Sequence, residues 1–111
     1  MSQQWALQEF KADLFRALGN PVRIRILEEL RTAGTLTVTE IQTAVGIEPS
    51  NASQQLAVLR SRGIVFALRE GNSVRYSVVD PEIYALLDIA RSVFERRIDV
   101  QRDALAAPTA E

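Results

Sequence analysis

The spacing of apolar residues divides the chain into helical and extended stretches. Leu7, Phe10, Leu14 and Leu18 recur at helical intervals and define one face of a first helix over residues 2–18, with Ala17 at its flank. Trp5 points to the other side of that wheel. A frayed end would leave it idle, whereas a contact with a second chain would use it, and tryptophan is enriched in interfaces. Val22, Ile26, Leu27 and Leu30 mark the buried stripe of a second helix, Val38, Ile41 and Val45 that of a short third. Ala52, Leu56 and Leu59 give the buried side of a fourth, from about Asn51 to Arg62. At Ile64 the period falls to that of a strand: residues 64–69 and 73–79 read as two short strands. Ile83, Leu86, Leu87, Ala90, Phe94, Ile98 and Leu105 then trace one stripe along a last helix, about residues 82–102, of roughly five or six turns.

Turn chemistry agrees with these boundaries. Gly19 suits the end of the first helix, Asn20 an N-cap and Pro21 the first helical position, where a missing N–H costs nothing. The second helix should end near Ala33-Gly34. Thr37 and Glu40 fit a capping box for the third, which stops at Gly46. Gly46-Ile47-Glu48-Pro49 is a turn, after which Ser50 or Asn51 is expected to cap the fourth helix. Two helices, the first very short, joined by a tight glycine-containing turn have the spacing of a helix-turn-helix. Gly63 closes the fourth helix, Gly71-Asn72 suits a two-residue hairpin turn with glycine first, and Asp80-Pro81 introduces the last helix.

A length of 111 residues supports one domain with one modest core, and 47% hydrophobic with 24% charged residues is ordinary for a soluble globular protein. No apolar run approaches a membrane span and no signal peptide opens the chain, so a cytoplasmic protein is expected. There is no cysteine and no histidine, which excludes disulfides, thiolate and imidazole metal ligands, and the commonest general base. Without a Gly-rich phosphate loop or an evident carboxylate pair, an enzyme is not expected, nor is a cofactor. The net charge of −1 is unevenly spread: residues 50–76 hold Arg60, Arg62, Arg69 and Arg75 against Glu70, a local +3, and the remainder carries −4.

That basic stretch also carries an uncharged helix face. Opposite the buried side of the fourth helix lie Ser50, Asn51, Gln54, Val58 and Ser61, with Ser53 and Gln55 at the flanks. A merely solvated face would mix Lys and Glu. Ser, Asn and Gln both donate and accept, as base edges require, and Asn or Gln can pair bidentately with adenine. Gln54, mid-face, is best explained by base contact. Gln55 is divided between core and base, and Ser50 and Asn51 between cap and base. Arg69 and Arg75 flank the hairpin tip from opposite strands, where they would meet phosphates or a narrow minor groove; the alternative is a plain surface hairpin.

The phrases LGNPVRIRILEEL, SNASQQLAVLRSRGIV and REGNSVRYSV, in this order, resemble the ArsR/SmtB family of winged-helix repressors over about residues 10–95. The resemblance implies a mainly α fold, a winged helix-turn-helix of about five helices and a two-stranded wing, dimerising through its first and last helices. It implies DNA contacts from Ser50, Asn51, Ser53, Gln54 and Gln55 in the recognition helix and from Arg69, Asn72 and Arg75 in the wing. The dimer interface would include Trp5, Leu7, Phe10 and Leu14 with Leu86, Ala90 and Phe94. The sensor departs from the family: where metal-sensing members carry a Cys-x-Cys motif this chain reads Val38-Thr39-Glu40-Ile41, and the last helix offers Asp and Glu without His. No metal site is expected, and an effector, if one exists, is a small molecule of another kind. The expected organisation is one DNA-binding and dimerisation domain over residues 1–105 and a disordered tail over 106–111. The partners are double-stranded DNA and a second copy of the chain, with no membrane. The alternative is a winged helix used as a protein-binding module without specific DNA binding.

Overall fold

The structure, a computed structural model, describes residues 3–106. A 3₁₀ turn over Gln3–Trp5 leads into α1 (Ala6–Leu18), followed by α2 (Pro21–Ala33), β1 (Leu36–Thr37), α3 (Val38–Val45), α4 (Pro49–Ser61), β2 (Val65–Glu70), β3 (Ser73–Val78) and α5 (Ile83–Ala106). No helix among the described residues is long and apolar enough to cross a membrane. The chain forms two compact units, one ending at Asp80 and the other beginning at Pro81.

In the first unit the caps fix where helices begin. Asn20 Oδ1 accepts from the N–H groups of Val22 at 2.9 Å and Arg23 at 3.0 Å, and Pro21 takes the first helical position. Thr37 and Glu40 form the expected capping box: Thr37 Oγ1 accepts from Glu40 N at 3.2 Å, and Glu40 Oε1 accepts from Thr37 N at 2.8 Å. α3 ends on Gly46 at φ 76°, a left-handed conformation that turns the chain directly into α4.

The start of α4 corrects the expected cap. Glu48 is the N-cap, with extended backbone and no side-chain cap bond, and Pro49 opens the helix. Proline's fixed φ and missing N–H favour that first position and push the preceding residue into extended geometry. Ser50 and Asn51 therefore lie inside the first turn and are not caps.

The core joins Ala17 and Leu18 of α1, Ile26, Leu27 and Leu30 of α2, Ile41 of α3, and Ala52, Leu56 and Leu59 of α4 to Ile64 and Val65 at the start of the hairpin. Each large side chain among these contributes roughly 1.5–3 kcal/mol by leaving water. The hairpin pairs Val65 with Val78 through to Glu70 with Ser73, which leaves Gly71-Asn72 as its turn. Gly71 has φ 60° and Asn72 does not have positive φ, the pattern of a II′ turn with glycine first. The sheet gains a third strand: Leu36 and Thr37 of β1 pair antiparallel with Tyr76 and Arg75. Two residues are too few to show alternation, so this strand left no sequence signal.

The second unit is built on α5. Only Tyr84 of this helix is buried, a residue outside the stripe the spacing suggested. The helix runs beyond the expected residue 102 and includes Ala106, the first residue of the expected tail; residues 107–111 lie outside the described residues, as does Ser2 at the expected start of the first helix.

Candidate nucleic-acid interface

Burial of Ala52, Leu56 and Leu59 fixes the rotation of α4, and that rotation decides which side chains face outward. Ser50, Ser53 and Gln54 are exposed, and their side chains make no hydrogen bond among the described residues. Three uncharged donor-acceptor groups are thus presented together in the first two turns.

Asn51 and Gln55 are turned the other way. Both are half-buried, and Gln55 Nε2 donates to Asn51 Oδ1 at 3.0 Å. Gln55 Oε1 in turn accepts from Arg23 Nη1 at 2.8 Å. Arg23 also donates from Nε to Ala17 O at 2.6 Å and from Nη2 to Arg16 O at 3.1 Å. One guanidinium therefore ties the last turn of α1 to the recognition helix. This corrects the outer-face placement of Asn51; the neighbouring Arg25 instead stays on its own helix and reaches Glu29, at 3.3 Å. A clue was available: the last carbonyls of α1 need donors, and Arg23 follows them after a short junction.

In the hairpin, Arg69 pairs in register with Val74 and Arg75 with Leu68. Adjacent register positions project to opposite faces of a sheet, so the two arginines do not flank the tip together. Arg75 Nε donates to Thr35 Oγ1 at 2.6 Å, and its Nη2 lies 3.4 Å from both Thr35 O and Glu40 Oε1. It braces β3 against the start of α3. Arg69 is exposed and has no partner among the described residues, and Asn72 is exposed in the turn. Glu40 is held below the usual glutamate range chiefly by the Thr37 N–H; burial opposes this, and the Thr37 hydroxyl and the Arg75 charge add smaller lowering effects.

The expected interface residues remain largely uncovered. Trp5 is 53% exposed, Phe10 64% and Phe94 62%; Leu7 and Ala90 are also exposed, and Leu14 and Leu86 are half-buried. Ile89 and Val100 of α5 add exposed apolar surface that the stripe did not include. Among the described residues no group of three or more His, Cys, Asp or Glu is placed to hold a metal ion.

A family model described as a helix-turn-helix domain matches residues 18–65. The HTH-type transcriptional regulator Rv0081 of Mycobacterium tuberculosis is 44% identical over 112 residues, covering 94% of this chain and 95% of that protein. The crystal structure of M. tuberculosis Rv0081 has a TM-score of 0.75 at 45% identity, over 86% of this chain and 95% of that one. The solution structure of the homodimeric winged helix-turn-helix DNA-binding domain of Mb0332 from Mycobacterium bovis, a possible ArsR-family transcriptional regulator, has a TM-score of 0.77 at 30% identity, over 89% of this chain and 91% of that one. With the helix-turn-helix of α3 and α4, the hairpin wing and these likenesses together, the chain belongs to the ArsR/SmtB family of winged helix-turn-helix transcriptional regulators.

Proposed function

We propose that the protein is a homodimeric repressor that reads an inverted-repeat operator in double-stranded DNA, with α4 of each copy in a major groove and the wing beside it. The observation that carries this reading is the free, uncharged face of Ser50, Ser53 and Gln54 at the start of α4. In it, Gln54 reads a base edge, Ser50 and Ser53 assist, and Asn51 and Gln55 hold the helix in place. Arg69 and Asn72 meet the backbone or the minor groove, and Arg75 supports the wing from within. Homodimerisation, the state of the M. bovis domain, uses the apolar surface of α1 and α5, and residues 1–105 act as one functional unit in the cytoplasm. Any effector is a small molecule held without thiolate or imidazole ligands, since the chain has neither.

Selection of bound sites from a random duplex pool tests the proposal. The expected product is a two-fold repeat with half-sites about 10–10.5 base pairs apart, centre to centre. A stable dimer that enriches no site, and shows no salt-dependent DNA binding at low ionic strength, would favour the protein-binding module instead.

A further inference from the structure

A helix lying in a major groove and a hairpin in the neighbouring minor groove must straddle the sugar-phosphate strand that separates them. Some part of the protein between α4 and the wing therefore faces phosphates. Between α4 and the wing lies a groove of about 340 Å³ lined by Ser53, Leu56, Ala57, Arg60, Ser61 and Tyr76. No acidic side chain lines it. Arg60 is exposed and has no ion-pair partner among the described residues. Tyr76 faces Ala67 in the register, and Arg69 lies two residues further along that strand. With a side-chain period of two, Tyr76 and Arg69 share one face of the sheet, the face that also carries buried Val65. Glu70, next to Arg69 in sequence, falls on the other face.

We propose that this groove is a phosphodiester seat: Arg60, aided by the hydroxyl of Tyr76, grips a backbone phosphate of the strand that runs between recognition helix and wing. Arg69 continues the track towards the hairpin tip. Arginine and tyrosine are common phosphate donors, and such contacts fix register on the duplex without reading sequence. The site rests on the DNA-binding reading above and assigns a role to two residues, Arg60 and Tyr76, that the pattern of the recognition helix and wing did not single out.

The test is a salt titration of binding to a selected duplex and to random DNA, with the full chain, Arg60→Gln and Tyr76→Phe. Arg60→Gln should lower the slope of log K against log salt by about 0.9 and weaken both DNAs by the same factor. Tyr76→Phe removes a neutral donor, so it should weaken both DNAs with the slope unchanged. Ethylation interference should lose one phosphate per half-site in Arg60→Gln. Both side chains leave the core intact, so thermal midpoints should match the parent protein. An unchanged slope and footprint for Arg60→Gln, with specific binding intact in the parent, would overturn the seat while leaving the DNA reading standing. Saturable NMR shifts of Ser53 and Tyr76 by inorganic phosphate at constant ionic strength, with unchanged DNA binding by Arg60→Gln, would reassign the groove to a free phosphorylated ligand and overturn it too. No salt-dependent binding by the parent protein would remove both the seat and the reading beneath it.

Discussion

Arg23 satisfies acceptors on α1 and α4 at once, and its loss would leave the carbonyls of Arg16 and Ala17 and the amide oxygen of Gln55 without it. Arg23→Met should therefore cost about 1–3 kcal/mol, the range for stranding part-buried polar groups, measured by urea unfolding. Faster amide exchange at the start of α4 should accompany it. Gln54 predicts a different signature, because its side chain is spent on nothing inside the molecule. Gln54→Ala should leave stability unchanged and lose about 1–3 kcal/mol of discrimination at one base pair, measured by competition between the selected site and its single-base variants. Equal loss on specific and random DNA would remove the base-reading role. Residue types alone could not separate Gln54 from Gln55. Spacing within α4 puts Gln54 mid-face and Gln55 at its flank, but the donor that decides Gln55's role lies far away in sequence, on another helix, and spacing does not report that.

At the scale of elements, the capping box of α3 and the brace from β3 form one electrostatic unit. Glu40 accepts from Thr37 N and sits beside Arg75, so its carboxyl ionises below the ordinary value of 4.5. A carboxylate depressed in the folded state stabilises it fully above the unfolded pKa, and that stabilisation is lost as pH falls through the lower, folded value. Compared with Glu40→Gln, the parent protein should thus lose stability more steeply on acidification below about pH 4.5, as read by thermal melts across pH. The caps at Asn20 and Thr37 and the Gly71-Asn72 turn were legible beforehand because each rests on local backbone geometry. β1 and the inward course of Arg75 were not. Both depend on pairing between residues about Thr35–Thr37 and residues in β3, and nothing local marks that partnership.

For the whole molecule, exposed aromatic and aliphatic side chains on α1 and α5 are the basis for expecting two copies to associate. Phe94→Glu places a charge in that surface without touching the core, since Phe94 is 62% exposed in the single chain. It should shift the protein from dimer to monomer in sedimentation equilibrium and abolish tight operator binding while leaving helix content unchanged. In the proposed interface Trp5, the chain's one tryptophan, is covered on association, so its emission should move to longer wavelength when Phe94→Glu dissociates the pair. The apolar stripe of α5 was readable from helical spacing, and so was its excess over what 111 residues can bury. Its buried Tyr84 was not, because a single aromatic off the stripe carries no period.

The link from Arg23 through Gln55 to Asn51 sets a rule for redesign. A recognition helix transplanted from another regulator would bring new residues at positions 51 and 55, and with them a mismatch to the arginine left behind in α2. Operator preference can instead be rewritten at positions 50, 53 and 54 alone, keeping Asn51, Gln55 and Arg23 as an inseparable set. By the same reasoning, natural variants should change those three positions together or not at all.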